Sequence, residues 1–248
     1  MELVFCTDDN YVMPCGVTLV SILENNIGVP ITFHIIGMGL NEESKEILSS
    51  IPQKYKESSI LFYEIRKEFL ESYNFSLFGS KHLSLASYAR LFLVDILPQN
   101  IEKVLYLDCD MIITKNLSEI WNTDLKNYSI AGVPDLFCMF YTKIFDILEY
   151  SKSFQYINAG MLLINLRYWR EHNLMSRFID FYKEKHDRLS FHDQDIINGT
   201  LYDSKLLLPI KYNVIDFYYF SKREIYLDKS KIKEELHLRR WQEGDRLQ

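Results

Sequence analysis

Short apolar, β-prone runs alternate with helical patterns over the first two-thirds of this chain. Strands are predicted at Leu3–Thr7, Ile31–Ile36, Ile60–Ile65 and Lys103–Leu107, and helices at Val12–Asn25, Asn41–Ser50 and Leu83–Leu97. Asn41 is a suitable N-cap for the second helix, and Pro98 ends the third. Parallel strands need a crossover, which a helix usually provides. The alternation therefore predicts βαβ units, that is, an α/β fold with a mostly parallel central sheet flanked by helices.

The pattern becomes less regular after Asp110. Two more strands are predicted at Ser129–Val133 and Tyr156–Asn165, then a long amphipathic helix at Arg167–His186 and a shorter one from His192 to Leu201. No repeat, low-complexity tract or linker interrupts the chain, which predicts a single domain over residues 1–248. We expect its C-terminal part, about 214–248, to be divergent or incomplete. Lys222–Arg240 has mixed charge and lacks apolar periodicity, which is typical of a solvated surface.

Composition excludes several classes of protein. The net charge of −6 argues against nucleic acid as a partner, because such a surface needs an excess of Lys and Arg. Cys6, Cys15, Cys109 and Cys138 show no C-x-x-C spacing, which predicts neither a zinc site nor disulfides and favours a reducing cytoplasm. We see no signal peptide and no apolar stretch near the roughly 18 residues of a membrane span. We expect a cytoplasmic protein for which peripheral contact with the inner membrane face stays open.

Two carboxylates, Asp108 and Asp110, follow the strand predicted at Lys103–Leu107. In an extended segment they share one face and Cys109 points to the other. Such a pair repels by about 4 kcal/mol at about 4 Å and an effective dielectric near 20, so either one is protonated or a cation lies between them. A hard divalent cation with open positions for phosphate oxygens suits such a pair. The alternative is that these residues only form a turn.

A second acidic cluster, Asp8-Asp9-Asn10, follows the first predicted strand. In open α/β sheets, ligands bind beyond the carboxyl ends of the strands. Two acidic clusters at such ends favour a functional site over simple turn formation.

Several polar motifs occur in a fixed order between the first residues and about Asn213. They are Asp8-Asp9-Asn10-Tyr11, Tyr88-Ala-Arg90, Asp108-Cys-Asp110, Pro134-Asp135, Asn158-Ala-Gly160 and His192-Asp193-Gln194-Asp195. This order resembles glycosyltransferase family 8, which includes bacterial galactosyl- and glucosyltransferases and glycogenin. The resemblance implies a GT-A type nucleotide-diphospho-sugar transferase fold, a UDP-sugar donor, Mn²⁺ (or Mg²⁺), and retention of anomeric configuration.

The resemblance also assigns the nucleotide end of a site. Asp108 and Asp110 would be metal ligands that also hold the UDP diphosphate, and Cys109 between them is included with the nucleotide-binding residues. Arg90 matches an arginine that contacts the donor, although an arginine on a helix could equally be a surface ion pair.

Asp8 and Asn10 match the positions that hold the uridine, and Tyr11 could stack on the uracil ring. The alternative for these residues is an Asx turn that caps the following helix, and the two roles are compatible.

The donor sugar would be lined by Asp135, Asn158, Ala159, Asp193 and Gln194. The alternatives are a buried amide that satisfies a loop for Asn158 and an N-cap for Asp193. Asp193 and Gln194 are the catalytic candidates, with Gln194 facing the anomeric carbon from the side opposite UDP. Because Gln is a poor nucleophile, we favour front-face displacement over a covalent glycosyl-enzyme. His192 lies outside the matched positions and is interpreted as a helix-entry residue.

One family element is missing. The late His-x-x-Gly-x-x-Lys-Pro-Trp string, whose His is the third metal ligand, does not occur. The segment Leu236–Gly244 contains His237 and Trp241 but at a different spacing, so the third ligand is left unassigned.

We therefore expect a metal-dependent, retaining transferase that moves glucose or galactose from a UDP-sugar to a glycan, glycolipid or glycoprotein acceptor in lipopolysaccharide or other surface glycan synthesis. Phe137–Phe154 is a candidate acceptor segment. The missing element leaves open a non-catalytic UDP-sugar-binding protein. A haloacid-dehalogenase-type phosphohydrolase also carries D-x-D after a strand, but Ile112 stands where that motif has Thr or Val, and three β/α units precede it.

Overall fold

The computed structural model describes residues 1–73, 75 and 85–215, and one sheet organises them. Its strands are β1 Glu2–Thr7, β2 Ile31–Gly37, β3 Ser58–Glu64, β4 Lys103–Leu107, β5 Ile130–Pro134, β6 Ile157–Asn165 and β7 Lys205–Leu207. Their order across the sheet is β3-β2-β1-β4-β6-β5-β7. Every pair of neighbours is parallel except the two that involve β6. The predicted α/β fold with a mostly parallel sheet is confirmed.

Helices cover both faces of the sheet. They are α1 Val12–Asn25, α2 Glu42–Ser50, α3 Lys67–Ser72, α4 Leu93–Ile96, α5 Ser118–Trp121, α6 Leu136–Phe140, α7 Lys143–Leu148, α8 Leu166–Glu171, α9 Leu174–Lys185 and α10 His192–Leu201. As predicted, Asn41 caps α2, since its side chain accepts a hydrogen bond from the Ser44 amide at 2.8 Å. No helix in the described ranges is long and apolar enough to cross a membrane.

Alternation along the central strands places the core on both faces of the sheet. In β1, Leu3 and Phe5 pack with α1 on one face, whereas Val4 and Cys6 pack on the other face with α8, α9 and α10. All four side chains are buried. A strand buried on both faces reads as a continuous apolar run, which is why β1 and β4 were recognisable in the sequence.

The helix predicted at Leu83–Leu97 is wrong in type over most of its length. Leu85–Phe92 forms a 3₁₀ helix, and only Leu93–Ile96 is α-helical before the chain turns at Pro98. Six of the eight side chains in the 3₁₀ segment are buried. The segment has the periodicity of an amphipathic helix, and that pattern does not distinguish a short 3₁₀ helix from an α-helix.

The helix predicted at Arg167–His186 is two helices, α8 and α9. Asn173 separates them with a left-handed backbone (φ 49°), and Asn is among the few residues that adopt this conformation readily. The described part of the chain ends at residue 215. The predictions for 216–248, including Lys222–Arg240 and His237, lie outside the described residues.

The reversed strand β6 has a direct consequence for the site. Since β6 is antiparallel to β4 and β5, its first residues lie beside the last residues of those two strands: Leu107 pairs with Met161, and Pro134 pairs with Ile157. Asn158, Ala159 and Gly160 therefore lie at the same sheet edge as Asp108.

Candidate functional site

A cleft opens at the sheet edge where β1 and β4 end. It is lined by the end of β1, by the 3₁₀ helix at Leu85–Phe92 and by the turn after β4. Its lining includes Asp8, Tyr11, Arg90, Asp108, Cys109 and Asp110. The carboxyl ends of parallel strands meet at this edge, which is where open α/β sheets bind ligands. The structure thus brings both acidic clusters of the sequence to one cleft.

Asp108 is fixed by three contacts and keeps one oxygen open. Its backbone N–H donates to the Gly160 carbonyl at 2.8 Å, which continues the pairing of β4 with β6. Its Oδ1 accepts from Arg90 Nη2 at 3.0 Å and from the Tyr106 hydroxyl at 2.9 Å. Among the described residues nothing donates to Oδ2, and the side chain is 37% exposed toward the cleft. This oxygen is available for a ligand.

Asp110 reaches the cleft through a turn rather than through the extended strand that we expected, because β4 ends at Leu107. Cys109 still points away: its thiol is buried and donates to the Cys6 carbonyl at 3.4 Å. The pKa of Asp110 is raised, first by partial desolvation and then by repulsion from Asp108. That repulsion is the one that a cation between the two carboxylates would relieve.

Arg90 ties together three segments of the site and is 5% exposed. Its Nη1 donates to the Ala159 carbonyl at 2.8 Å, its Nη2 contacts Asp108, and its Nε lies 3.1 Å from Asp193 Oδ2. Burial acts to lower the pKa of Arg90, but the carboxylates of Asp193 and Asp108 outweigh it and raise the pKa. The alternative of a surface ion pair is therefore wrong, since this arginine is an internal cross-link.

Asp193 lies in the first turn of α10 and is buried. Burial raises its pKa, and the Arg90 guanidinium partly opposes that shift. It is not the N-cap, because α10 begins at His192 and Phe191 precedes it. His192 enters the helix with a left-handed backbone (φ 51°) and places its Nδ1 3.3 Å from the Tyr88 hydroxyl, so it is a helix-entry residue as interpreted from the sequence.

A network of amides and one carboxylate holds the predicted sugar-lining residues together. Asp135 caps α6 and accepts at Oδ2 from Asn158 Nδ2 (3.1 Å) and from Gln194 Nε2 (3.3 Å). Gln194 Oε1 accepts from the Ala159 N–H at 2.7 Å. Asn158 Oδ1 in turn accepts from the Gly160 N–H at 2.9 Å. Asp135, Asn158, Ala159 and Gln194 are thereby linked to one another, whereas Asp193 is tied to Arg90 instead.

Of the three predicted uridine-binding residues, two line the cleft and one does not. Asp8 and Tyr11 line the cleft, and Asp8 Oδ1 also accepts from the Asn10 N–H at 3.0 Å, so the capping role is present. Asn10 is exposed and is not part of the cleft lining within the described chain. Asp9 binds Asn41 instead: its carboxylate accepts hydrogen bonds from the backbone and side-chain N–H groups of Asn41.

Sequence reasoning missed three residues that shape the site. Tyr106 holds Asp108 through its hydroxyl and lies under Arg90, whose guanidinium carbon is 4.2 Å from the ring centroid. Strand alternation could have identified it, because it precedes Asp108 by two residues. Asn198 and Asn213 reach β6 from distant segments: Asn198 bonds Ile157, and Asn213 donates to Asn158 Oδ1 at 2.8 Å. No local pattern marks those two.

The acidic pair fits a divalent cation as a partial set of ligands. Carboxylate oxygens are the ligands that Mn²⁺ and Mg²⁺ prefer, and Asp108 Oδ2 is open. Gly160 provides the space: a Cβ there would lie 3.0 Å from Asp108 Oδ2 and 3.0 Å from Asn158 Oδ1. Within the described ranges no third His, Cys, Asp or Glu joins the pair to complete a metal-ligand group.

Comparisons with known proteins identify the family that this chain is similar to. The family model for glycosyl transferase family 8 matches residues 2–238. A Haemophilus influenzae protein, provisionally named a glycosyltransferase, is 31% identical over 199 residues, which are 80% of this chain and 58% of that protein. A lipopolysaccharide 1,2-glucosyltransferase of Escherichia coli is 32% identical over 210 residues, 84% of this chain and 60% of the enzyme. The chain thus spans about three-fifths of the length of these relatives.

The fold matches a solved galactosyltransferase. The structure of LgtC with donor and acceptor sugar analogues superposes with a TM-score of 0.82 at 27% identity, covering 93% of this chain and 82% of that one. This match confirms the GT-A fold. With a family model that covers nearly the whole sequence, the chain belongs to glycosyltransferase family 8.

Proposed function

We propose that this protein transfers glucose or galactose from a UDP-sugar to a glycan acceptor, with retention of configuration and with the help of Mn²⁺ or Mg²⁺. One observation carries the proposal: Arg90 cross-links Asp108, at the open acidic pair, to Asp193, beside Gln194. A diphosphate end and a sugar end are thereby held in fixed relation. The similarity to an E. coli lipopolysaccharide glucosyltransferase favours an acceptor in surface glycan synthesis.

The nucleotide end would lie over Asp8 and Tyr11. Tyr11 offers an aromatic face for uracil, and the polar groups beside it can satisfy the edge of the base. Asn10, predicted to join them, is the exposed member and could contribute only at the rim of the cleft. The diphosphate would extend from there toward Asp108 and Asp110, which line the same cleft.

Asp108 and Asp110 would hold the divalent cation. When bound, the cation screens the diphosphate and stabilises the negative charge of the departing UDP. The protein's own part is to hold the Asp108 side chain in a fixed orientation. Arg90 and Tyr106 do this by donating to its Oδ1, and that leaves Oδ2 directed at the cleft.

The sugar end would be gripped by Asp135, Asn158 and Asp193. Carboxylate and amide groups can bind sugar hydroxyls selectively, because an unpaired buried polar group costs about 1–3 kcal/mol. A glucose donor differs from a galactose donor in one hydroxyl configuration, which either Asp135 or Asp193 could satisfy.

Gln194 would steady the oxocarbenium-like centre rather than attack it. Its Oε1 already accepts from the Ala159 N–H at 2.7 Å, and its Nε2 donates toward Asp135. An amide oxygen engaged in this way is a poor nucleophile, so we favour front-face displacement within a tight ion pair.

A donor assay tests the proposal. The protein is incubated with UDP-glucose or UDP-galactose and Mn²⁺, and free UDP, free sugar and phosphate are measured. We expect UDP release with one donor, and loss of that release in Asp110→Ala. Release that is unchanged in Asp110→Ala would refute the metal role.

A second candidate is a UDP-sugar-binding protein without catalysis. It is favoured by the incomplete ligand set, since no third metal ligand joins the pair in the part of the chain that the structure describes. It predicts UDP binding without release of sugar or UDP at high protein concentration. The phosphohydrolase alternative predicts phosphate release without UDP binding, and the family match gives it no support.

A further inference from the structure

Lys205, at the start of β7, is a buried lysine directed into the protein and is 7% exposed. Its Nζ donates to the Gln155 carbonyl at 2.7 Å and to Asn198 Oδ1 at 3.0 Å, and it lies 5.0 Å from the centroid of the Tyr150 ring. Burying an ammonium group is costly, and an apolar residue would fill the same space more cheaply. A purely structural account leaves this choice of residue unexplained.

Asn198 carries the contact from Lys205 to the site. Its Oδ1 accepts from the Ile157 N–H at 2.8 Å, and its Nδ2 donates to the Ile157 carbonyl at 2.8 Å and to the Gln194 carbonyl at 2.9 Å. The amide therefore joins the first residue of β6 to the turn of α10 that bears Gln194. Two residues along β6, the Ala159 N–H donates to Gln194 Oε1. Asn198 thus fixes both partners of that hydrogen bond.

The Lys205 ammonium reinforces the one orientation of Asn198 that the Ile157 backbone favours. An Asn side chain can be flipped so that its oxygen and nitrogen exchange places, and only one orientation satisfies both the N–H and the carbonyl of Ile157. A donor at 3.0 Å from Oδ1 excludes the flipped amide, because that would place two donors against each other. Burial lowers the pKa of Lys205 to about 7, and the negative charge of Asp203 partly opposes this shift.

We propose that Lys205 is a positioning residue which, through Asn198, fixes Gln194 and the first residues of β6 in the geometry that the transfer reaction needs. The proposal rests on the function proposed above. Within the described residues Lys205 does not line the cleft, and of its contacts Asn198 is the one that is bonded to Gln194.

The chain offers a matched control in Lys103. Its Nζ also donates to a backbone carbonyl (Trp121, 2.7 Å) and lies over an aromatic ring (4.7 Å), but at the opposite end of β4 from Asp108. We expect Lys205→Met to lower kcat for UDP release about tenfold relative to Lys103→Met, with the donor KM within about threefold. A fall in kcat of less than about threefold would overturn the proposal.

A melting curve separates positioning from structural support. Lys205→Met removes a costly buried charge, so we expect its melting temperature to equal or exceed that of the wild type although kcat falls. A purely structural role instead requires both to fall together, which would contradict the proposal. Should the Met variant not fold, Lys205→Gln serves in its place, because it keeps a polar side chain at this position.

The route through Asn198 is tested by a double variant. If Lys205 acts only through Asn198, Lys205→Met in an Asn198→Ala background should lower kcat no further. A second tenfold loss would show an independent path and overturn the proposal.

A readout without turnover keeps the two proposals apart. In wild type, the side-chain amide resonances of Gln194 and Asn198 report the network directly, and we expect them to shift in Lys205→Met but not in Lys103→Met. If the wild type releases no UDP from any donor but these resonances still shift in Lys205→Met, the positioning network is supported and the proposed function fails. Unshifted resonances would overturn the network, whatever the activity.

Discussion

Arg90 connects parts of the site that are far apart in the sequence. Its guanidinium spans Asp108 after β4, Ala159 in β6 and Asp193 in α10, which requires several donors in a fixed plane. The positions of these partners could not be read from the sequence, because they meet only after β6 is paired with β4. The family resemblance did single out Arg90, but as a residue that contacts the donor and not as a link between carboxylates.

Arg90→Lys is expected to be damaging although the charge is kept. A single ammonium cannot reach both carboxylates and the Ala159 carbonyl, so one buried acid loses its partner. We expect a loss of about 3 kcal/mol in the free energy of unfolding and a fall of about 100-fold in UDP release. Urea unfolding and the donor assay measure the two effects.

Arg167→Lys is the control for that variant, because Arg167 is an exposed arginine paired with Glu171 at 2.9 Å. Exposed pairs of this kind contribute about 0.5 kcal/mol or less. Similar losses in the two variants would contradict the role assigned to Arg90.

Gln194→Glu tests whether the reaction passes through a covalent sugar. Glu is a competent nucleophile where Gln is not, so the variant could trap a glycosyl adduct at this position. We expect intact-protein mass spectrometry with donor to show no adduct on the wild type, whatever the variant shows. An adduct on the wild-type protein would disprove front-face displacement.

At the level of elements, the sequence was most informative where burial has a clear period. The structure confirms α1 at Val12–Asn25 and β4 at Lys103–Leu107 with the predicted bounds. The prediction failed where a single residue changes the backbone, as Asn173 does between α8 and α9. It also failed in the 3₁₀ helix at Leu85–Phe92, where a helix-like period does not separate the two helix types.

A side chain at Gly160 in β6 would test whether the acidic pair needs open space beside it. A Cβ there would lie 3.0 Å from both Asp108 Oδ2 and Asn158 Oδ1, so one of these groups must move. We expect Gly160→Ala to lower metal-dependent UDP release at least tenfold while the protein stays folded. The assay at increasing Mn²⁺ concentration measures the effect on the cation site.

Gly16→Ala in α1 is the matched glycine variant. Its Cβ would meet the flexible tip of the Ile51 side chain at 3.3 Å, beside α2, and neither Asp108 nor Asp110 lies within 4 Å of it. It should retain full activity. Equal activity of the two alanine variants would show that the space at Gly160 is not needed.

For the whole molecule, stability should depend on pH through Lys205. The pKa of this group is lowered from 10.5 in the unfolded chain to about 7 by burial, against the opposing effect of Asp203. Between these values the unfolded state binds more protons, so the free energy of unfolding rises with pH, by at most about 1.4 kcal/mol per pH unit. Below about pH 7 both states are protonated and this gain is absent.

Urea unfolding at about pH 6.5, 7.5 and 8.5 checks the sign. The stability of the wild type relative to Lys205→Met should increase over this range. The exposed Lys183→Met serves as the control and should give a constant difference from the wild type. A free energy of unfolding of the wild type, taken relative to that of Lys205→Met, that stays constant or falls as the pH rises would contradict the prediction.

The sequence predicted the class of the fold, and it predicted that the candidate site lies at the carboxyl ends of the strands. Parallel βαβ units follow from the order of elements, and acidic clusters at carboxyl ends indicate where a ligand would bind. The direction of β6 was not predictable, because strand periodicity carries no information about orientation. Asn198, Lys205 and Asn213 were missed for the same reason, since only that direction gives them contact with the network around Gln194.

Because β6 is antiparallel to β5, the segment that connects these two strands begins and ends at the same place on the sheet. The segment Phe137–Phe154 leaves the sheet edge just after Asp135 and returns just before β6, so both of its ends are anchored by paired strands. We propose that this segment binds the acceptor, so that exchanging it between family members changes the acceptor used as long as Tyr150, whose ring lies 5.0 Å from Lys205 Nζ, is retained.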